Sequence, residues 1–364
     1  MQRTQFWFGG LLLWFVSAMA PSAAAEPRGL PAADAVLTRI GFGSCAYEGT
    51  SQPIWKAVNK SAPELFVFLG DNVYLDTRDP AIMARKYRQL ADQRGFRRLR
   101  ANTALVAIWD DHDFGENDAG AEFPAKSAAR DAFLKFWNEP KSSARWTRAG
   151  IYTSYVFGPA GQRVQIILPD LRWNRTPLTV NPRFGDLQGY GNWTDQQEGS
   201  TAPIPGPYAR NPDRQASQLG EAQWAWLEAQ LREPADVRII GSSLQVLADF
   251  TGWEAWSNFP RDQQRLIGLI RDTGARNVVF ISGDTHYGEL TKLDVNVPYP
   301  LFDLTSSGLT EVWKVPVPNA LREGESFHQA NFGRIDIDWP GQTMTLSLRD
   351  ESGGVLLAKQ LPIR

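Results

Sequence analysis

The chain has 364 residues, of which 43% are hydrophobic and 21% are charged. This composition excludes a disordered, collagen-like or coiled-coil chain and is sufficient for one large or two ordinary cores. The formal net charge of -2 gives no indication of a nucleic-acid partner. A single Cys excludes an intramolecular disulfide framework, and with only three His the position of each one is informative.

Residues 1–25 have the features of a secretory signal peptide. An arginine near the start is followed by the apolar stretch Phe6–Ala20, and Ala23-Ala24-Ala25 offers the small residues that a signal peptidase needs. The alternative is an uncleaved membrane anchor, since this stretch and the alanines after it are nearly long enough to span a bilayer. We favour cleavage, and expect a periplasmic or secreted protein without a transmembrane segment after cleavage, folded as one domain over residues 26–364.

Short apolar runs alternate with helical patterns along the chain. Six runs of four to six residues suit strands buried on both faces: Leu37–Phe42, Leu65–Leu69, Ala104–Trp109, Val164–Leu168, Val237–Ile240 and Val278–Ile281. Four segments have helical spacing: Pro80–Arg100, with Gly95 as the point where it could break, Ser127–Asn138, Ser217–Leu231 and Arg261–Thr273. The alternation predicts an α/β layered fold, in which functional groups collect beyond the carboxyl ends of strands.

Two regions depart from this alternation. Asn174–Asp213 is rich in Pro, Gly, Asn and Thr, and we interpret this long loop as a flap on the substrate side. Phe302–Arg364 forms a β-rich tail, in which Arg334–Asp338 and Thr343–Leu348 alternate with period two around a Pro-Gly turn.

Residues with metal-binding chemistry follow the second and third predicted strands. Asp71 and Tyr74 stand in Gly-Asp-x-x-Tyr, where a carboxylate and a phenolate can be directed at one cation. The run Asp110-Asp111-His112-Asp113 follows the next strand. Because adjacent carboxylates repel one another, such a run is tolerable when a cation neutralises it.

Three further candidates follow the sixth and first strands. Asp284 and His286 stand in Gly-Asp-Thr-His, two residues apart, and Cys45 would be an unpaired thiol in an oxidising compartment. Each segment alone also fits an ordinary turn, a solvated loop or a small buried side chain. Together they favour a metal site, because the lone Cys, two of the three His and the densest Asp cluster all lie at predicted strand ends. His328 lies outside this pattern, and we interpret it as structural.

In this order, Ser-Cys, Gly-Asp-x-x-Tyr, Trp-Asp-Asp-His-Asp and Gly-Asp-x-His resemble the alkaline phosphatase D (PhoD-like) branch of the calcineurin-like metallophosphoesterases. The resemblance covers roughly residues 38–335 and includes Asp170-Leu171-Arg172 with Arg175. It implies a four-layer α-β-β-α sandwich with mixed sheets, a dinuclear metal centre and hydrolysis of phosphate esters. One departure is that residues 114–285 contain no His to match the superfamily's usual middle ligand.

The resemblance also implies a role for each candidate residue. Asp71 corresponds to the carboxylate that bridges the metals, and His112 corresponds to the catalytic histidine. The ligands of ferric iron correspond to Cys45, Tyr74 and His286. The ligands of the second metal correspond to Asp111 (or Asp110), Asp284 and Asn117. The first set is partly soft and suits iron, while the carboxylates suit calcium, with manganese or zinc as alternatives.

The mechanism expected from these roles is attack of a metal-bound hydroxide on a phosphate monoester or diester. His112 would stabilise the transition state or protonate the leaving oxygen, with Asp113 orienting its ring. Arg172 and Arg175 are candidates for bidentate contact with the phosphate, the alternative being ordinary surface charge.

Other functions remain open at this stage. A phospholipase-type diesterase would use Trp193, Trp253 and Trp256 as an apolar entrance, although all three could be core residues. A glycosidase would leave the Cys, Tyr and His candidates unexplained, and a non-catalytic calcium-binding protein is a third class. The seven basic residues between Arg85 and Arg100 either steer anionic substrates or form a solvated helix face.

Overall fold

A computed structural model describes residues 27–182, 206–315 and 317–364. The expected signal peptide lies outside the described residues and stays a prediction, as does the single domain. Within the described ranges, no helix combines the length and the apolar character that are needed to cross a lipid bilayer.

Two six-stranded mixed sheets form the centre of the molecule. The first sheet has the order β14-β13-β12-β1-β2-β3 and the second the order β10-β11-β9-β8-β5-β4, with a two-stranded ribbon β6-β7 beside them. The strands are β1 (Arg39–Gly43), β2 (Leu65–Leu69), β3 (Ala104–Ile108), β4 (Thr153–Phe157), β5 (Val164–Leu168), β6 (Thr179–Val180), β7 (Tyr208–Ala209), β8 (Val237–Ser242), β9 (Val278–Ser282), β10 (Gly288–Leu293), β11 (Leu301–Ser306), β12 (Asn331–Asp338), β13 (Thr343–Asp350) and β14 (Val355–Pro362). β1, β2 and β3 run parallel, as do β5, β8, β9 and β11.

Helices cover the outer faces of both sheets. These are α1 (Trp55–Lys60), α2 (Pro80–Asp92), α3 (Arg94–Asn102), α5 (Lys126–Phe136), α6 (Glu221–Arg232) and α7 (Pro260–Asp272), whereas α4 (Asp111–Phe114) is a single turn in the loop after β3. Residues of α1, α2, α3 and α5 share one core with the first sheet, whereas α6 and α7 form a second core with β5, β8 and β9. The α-β-β-α sandwich and the β-rich tail are therefore confirmed.

The residues of β2 show why the layers form. All five are buried, as expected for a strand between a helical layer and a second sheet. Phe66 and Phe68 pack against Trp55 on the helical side, with ring centroids 6.0 and 5.8 Å away. Leu69 faces the second sheet, where a Cβ on Gly241 would lie 2.9 Å from its Cδ2. A larger residue at that glycine would force the sheets apart.

The six predicted strands and the helical segments are present, with one correction in the first helical segment. The break occurs at Gln93, two residues before Gly95, and separates α2 from α3. The backbone at Gln93 is extended, and its side-chain amide donates to the carbonyls of Glu48 and Thr50. Gly95 is helical instead, and a Cβ there would lie 2.5 Å from the Cβ of Trp55.

Candidate metal centre

A pocket of about 320 Å³ lies at the carboxyl ends of the parallel strands. The loops after β2, β3 and β9 provide most of its polar surface, and segments around residues 207, 253 and 313 provide its apolar surface. The described residues that line it are Asp71, Asp111, His112, Asn117, Asp118, Pro207, Tyr208, Trp253, Glu254, Asp284, Thr285, His286, Trp313 and Val317.

Backbone hydrogen bonds hold the loops after β1 and β2 together. The N–H of Cys45 donates to the carbonyl of Gly70 at 3.3 Å, and the N–H of Ala46 donates to the carbonyl of Asp71 at 2.8 Å. Gly70 has φ +105°, and a Cβ there would lie 2.5 Å from the Cβ of Asp110. Glycine at this position therefore lets the loops after β2 and β3 approach each other.

Unusual backbone conformations concentrate at this pocket. Among the described residues other than glycine, eleven have positive φ, and six of these belong to the site: Cys45, Asp71, Asp76, Asp118, Asp284 and His286. The left-handed region costs a non-glycine residue free energy, and such residues cluster where structure serves function. Four of the six, Asp71, Asp118, Asp284 and His286, line the pocket.

The floor of the pocket and the buried residues next to it form two halves. The first, which we call the mixed half, consists of Cys45, Tyr74 and His286 together with Asp71, of which Asp71 and His286 line the pocket. The Sγ of Cys45 lies 3.6 Å from Oδ2 of Asp71, and the hydroxyl of Tyr74 lies 3.2 Å from Nε2 of His286. Burial raises the pKa of the Cys45 thiol to about 12 and lowers the pKa of His286 to about 4. The imidazole is thus neutral, which is the form that binds a metal ion.

The other half, which we call the carboxylate half, consists of Asp110, Asp111 and Asp284 and again includes Asp71. One oxygen from each of the four lies within 4.8 Å of the others. Burial, and then repulsion among the carboxylates, holds the pKa values of Asp71 and Asp284 well above the ordinary range. Burial would also raise the pKa of Asp111, but the charges of His112 and Arg172 hold it below its ordinary value.

The two halves fit a pair of cations that share Asp71. Donor atoms on one metal ion lie about 3–4 Å apart, because each bond is about 2.0–2.6 Å long. The separations in the mixed half have this length. In the carboxylate half, Oδ2 of Asp110 and Oδ1 of Asp111 are buried without a hydrogen-bond partner. Buried anionic oxygens of this kind are the groups that a hard cation satisfies.

His112 lies at the rim of the carboxylate half, and its ring contacts that of Tyr74 with a centroid distance of 4.2 Å and a tilt of 37°. Its Nδ1 lies 2.7 Å from Oδ1 of Asp76, which leaves Nε2 as the second ring nitrogen for the pocket. Burial lowers the pKa of His112, but Asp111 and Asp76 outweigh it and raise the pKa to about 9. The carboxylate that orients this ring is therefore Asp76, which is exposed and has no motif to mark it in the sequence.

The expectation that Asp113 orients His112 is wrong. The carboxylate of Asp113 lies behind the site, where it accepts hydrogen bonds from the backbone N–H groups of Asn72 and Asp110 and from the side chain of Asn72. The reason is the one-turn helix α4: Asp110 is its N-cap and Asp113 its third residue, so the two form a capping box. Asp113 fastens the loops after β2 and β3 to each other.

Arg172 does not line the pocket, contrary to the expectation that it contacts phosphate. It is fully buried beneath the carboxylate half. Its Nε donates to Asp110 at 2.6 Å, and its two terminal nitrogens donate to the two oxygens of Glu254 at 2.9 and 2.7 Å. Arg175 is equally buried and lies 2.8 Å from Glu254. The guanidinium groups are already paired with carboxylates, so they position ligands and are not available to a substrate.

A third group of acidic residues lies between this ion-pair network and the pocket. Asp111, Asp118 and Glu254 each offer an oxygen within 4.8 Å of the others. The N–H of Asp118 donates to Asp111 at 2.8 Å, and the carboxylate of Asp118 accepts a hydrogen bond from Tyr208. Asn117 lines the pocket beside this group. Glu254 follows no predicted strand, and no motif in the sequence marks it.

Aromatic and aliphatic side chains form the wall opposite the metal-binding residues. Trp253 and Trp313 meet edge to face at 5.4 Å, beside Pro207 and Val317. The hydrogen bond from the N–H of Trp313 to the carbonyl of His286, at 2.7 Å, ties this wall to the floor.

Of the tryptophans considered from the sequence, Trp253 is at the pocket, Trp256 is in the core and Trp193 lies outside the described residues. His328 is not at the pocket; it pairs with Ser326 and with the carbonyl of Trp313. The described ends of the long loop form the β6-β7 ribbon, which brings Pro207 and Tyr208 to the pocket.

Comparisons with known proteins agree with this geometry. The model of the PhoD-like phosphatase family matches residues 40–335. Alkaline phosphatase D of Bacillus subtilis (strain 168) is 25% identical in an alignment 346 residues long, which covers 79% of this chain and 52% of that protein. The chain thus spans about half the length of this curated relative.

Solved structures share the fold. The structure of PhoD superposes with a TM-score of 0.68 at 16% identity and covers 92% of this chain and 70% of its own. A dimetal phosphatase from Danio rerio superposes with a TM-score of 0.55 at 14% identity and covers 91% of this chain and all of its own. The match of the family model over most of the chain, including all four metal-binding segments, shows that the chain belongs to the PhoD-like phosphatase family.

Proposed function

We propose that this protein is a metal-dependent phosphatase that hydrolyses phosphate esters. The observation that carries the proposal is the position of Asp71, which belongs both to the group with Cys45 and His286 and to the group with Asp110, Asp111 and Asp284. One carboxylate between two sets of ligands is the arrangement that holds two cations close together. Such a pair, when bound, polarises the phosphoryl oxygens and makes water a stronger nucleophile.

The donor chemistry supports iron in the mixed half and calcium in the carboxylate half. Thiolate, phenolate and imidazole suit a transition metal, whereas carboxylates suit a hard divalent cation. Asn117, and Asp118 behind it, can complete the oxygen shell on the calcium side. Manganese or zinc in either half is the alternative that elemental analysis decides.

His112 is proposed as the residue that assists the leaving group. Its Nδ1 is held by Asp76 at 2.7 Å, so the proton available to a substrate is on Nε2. A proton donated from Nε2 to the leaving oxygen removes the need to expel an alkoxide. The contact of the ring with Tyr74 supports this orientation of the imidazole.

The pocket favours phosphodiesters over monoesters. Among the described residues that line it, no side chain is Lys or Arg, and the two buried arginines are already paired with carboxylates. A monoester dianion would receive its extra charge stabilisation only from the bound cations and from His112. A diester carries a single negative charge, and its second substituent can lie against Trp253 and Trp313. The same wall supports a phospholipase-type diesterase as a second candidate.

An extracytoplasmic location, periplasmic or secreted, is part of the proposal. It rests on the signal-like sequence of residues 1–25. The measurement is the N-terminal sequence of the protein recovered from an extracytoplasmic fraction, which should begin near Glu26. A protein found in the cytoplasm with residue 1 or 2 at its start would contradict it.

The test of the activity combines turnover, metal content and colour in one preparation. We expect hydrolysis of bis(p-nitrophenyl) phosphate to exceed that of p-nitrophenyl phosphate, and chelation to abolish both. Elemental analysis should find two different metals, and a phenolate or thiolate on ferric iron should give a visible charge-transfer band. Calcium binding without any turnover would favour a non-catalytic protein, and chelator-insensitive cleavage of a glycoside would overturn the proposal.

A further inference from the structure

The outer face of α1, α2 and α3 carries an unusual concentration of positive charge. Seven exposed basic residues lie on it, which we call the basic face: Lys56, Lys60, Arg85, Arg88, Arg94, Arg97 and Arg98. The only exposed acidic residue on these three helices is Asp92. This excess contrasts with the net charge of -2 of the whole chain.

Helical geometry explains why these side chains share one side of the molecule. In α2 the buried residues are Met83, Tyr87 and Leu90, and in α3 they are Phe96 and Leu99. At about 100° per residue, the arginines of both helices project from the side opposite these apolar residues. α1 and α3 belong to the same outer layer of the first sheet, so the charges form one surface.

None of the seven side chains forms an ion pair or hydrogen bond with the described residues. Several exposed arginines elsewhere do so: Arg78 pairs with Glu116, Arg232 with Glu228, Arg265 with Glu221 and Arg271 with Asp272. The basic face therefore concentrates seven such cations on three neighbouring helices that carry one exposed acid. Its like charges repel one another, and an anionic partner would remove that repulsion.

The path of the chain indicates what kind of partner this is. The N–H of Arg28 donates to the carbonyl of Arg100 at 2.8 Å, and its guanidinium donates to the carbonyl of Asn102 at 2.9 Å. The chain thus enters the described structure at the end of α3, beside the basic face. The preceding 26 residues include the apolar stretch Phe6–Ala20, which has the composition of a segment that inserts into a bilayer.

We propose that the basic face docks on the anionic headgroups of a phospholipid membrane. Basic residues near such a surface are attracted to it, and the attraction falls off within a Debye length, about 8 Å at physiological salt. The face is the solvent side of a helical layer that exposes no aromatic side chain, so it lacks the stacking groups with which proteins hold single-stranded nucleic acid. Docking would keep the enzyme at a membrane surface whether or not the N-terminal segment has been removed.

The experiment measures sedimentation of the full chain with vesicles of phosphatidylcholine alone or with 30% phosphatidylglycerol (about 0.3 mole fraction, enough to make the surface anionic). The wild type should partition at least about tenfold more strongly onto the anionic vesicles, and added salt should weaken this preference. The triple variant R94Q/R97Q/R98Q should lose roughly tenfold to a hundredfold in binding to the anionic vesicles.

Two further variants keep the test decisive. The triple R214Q/R276Q/R364Q removes three exposed arginines elsewhere and should bind as the wild type does. The charge-retaining variant R94K/R97K/R98K should also keep its binding, which would show that a loss in the glutamine variant is a loss of charge. All variants should hydrolyse a soluble p-nitrophenyl ester at the wild-type rate, since none of these residues lines the pocket.

Three outcomes would overturn the proposal. The first is equal partitioning of the wild type onto neutral and anionic vesicles. The second is an equal loss of binding in both glutamine triples. The third is binding of the wild type to duplex DNA or heparin without binding to anionic vesicles, which would assign the face to a different class of polyanion.

Discussion

The mixed half and the carboxylate half of the pocket floor differ in how the protein treats their charge. In the carboxylate half, Arg172 and His112 place positive charge beside the acids before any metal binds. In the mixed half, the Sγ of Cys45 lies beside the hydroxyls of Ser44 and Ser307, and among the described residues no Lys or Arg contacts this thiol, the Tyr74 hydroxyl or Nε2 of His286. A bound cation is thus the main source of positive charge in the mixed half but only one of several in the carboxylate half.

The largest effect is expected from the residue that the halves share. Asp71→Asn removes a charge from both ligand sets and should lower kcat by about a thousandfold or more, because the two cations together supply several kcal/mol to the transition state. Both metals should be depleted in elemental analysis. Cys45→Ala is the matched variant: it should lose the metal and the colour of the mixed half only. Equal depletion in the two variants would mean that the halves are a single site.

The next effect concerns the rim of the carboxylate half. His112→Ala should lower turnover by about 10²–10⁴-fold, the usual contribution of a positioned acid or base, while both metals remain bound. The loss should shrink for an ester with a very good leaving group, which needs no proton. Retained turnover with full metal content would reject the role of His112, and a loss of metal would make it a ligand instead.

Two carboxylates near that histidine, Asp76 and Asp113, allow matched Asp→Asn substitutions with different expected effects. Asp76→Asn should lower kcat by about 10–100-fold with little change in thermal stability, because Asp76 is exposed and holds only the imidazole. Asp113→Asn should instead lower the free energy of unfolding by about 1–3 kcal/mol, because it leaves buried N–H groups less well satisfied. Thermal melts and steady-state kinetics on both variants separate the two roles, and identical behaviour would contradict them.

The ion pair between Arg172 and Asp110 allows a test of whether a positively charged side chain supports metal binding in the carboxylate half. Arg172→Gln should weaken metal binding in the carboxylate half by about 10–100-fold and leave the mixed half filled. Arg145 is the control, since it is also buried and pairs with Glu139 at 2.9 Å, away from the pocket. Both variants should lose about 3–5 kcal/mol of stability. Equal metal affinities in the two variants would make Arg172 purely structural.

The smallest effect is expected at the apolar wall. Trp253→Ala should lower kcat/KM for bis(p-nitrophenyl) phosphate by about tenfold relative to methyl p-nitrophenyl phosphate, because the second aryl group loses its contact. Both substrates release the same phenolate, so the ratio reports binding of the group that stays. Trp146→Ala, away from the pocket, should leave the ratio unchanged. An unchanged ratio in the Trp253 variant as well would remove the argument for an apolar substituent.

The sequence predicts the fold well where local composition and burial agree. β2 and β5 begin and end at the predicted residues, because a strand between two layers is apolar throughout and polar residues follow it at once. Gly95 shows the limit of such reasoning. A glycine in a helical pattern suggests a break, but this one accommodates Trp55, a contact that only the packing of α1 on α3 creates.

The same limit explains the site. Cys45, Asp71 and His286 could be predicted because each follows a strand, and parallel strands end at one edge of a sheet. The composition of Asp110-Asp111-His112-Asp113 indicates a metal site, but it does not show which way each side chain points. The single turn of α4 directs Asp113 away from the pocket. Asp76 and Glu254 could not be identified, because their roles arise from long-range contacts. Asp76 contacts His112, which is 36 positions away in sequence, and Glu254 contacts Arg172, which is 82 positions away.

The left-handed backbone at Cys45, Asp71, Asp284 and His286 limits how the centre could be re-engineered for another metal ion. Aspartate, asparagine, histidine and glycine tolerate that conformation best, whereas branched side chains such as threonine or valine do not. Few residue types can therefore replace these four ligands without backbone strain. A change of metal preference should begin with substitutions of the surrounding hydroxyl and carboxylate side chains.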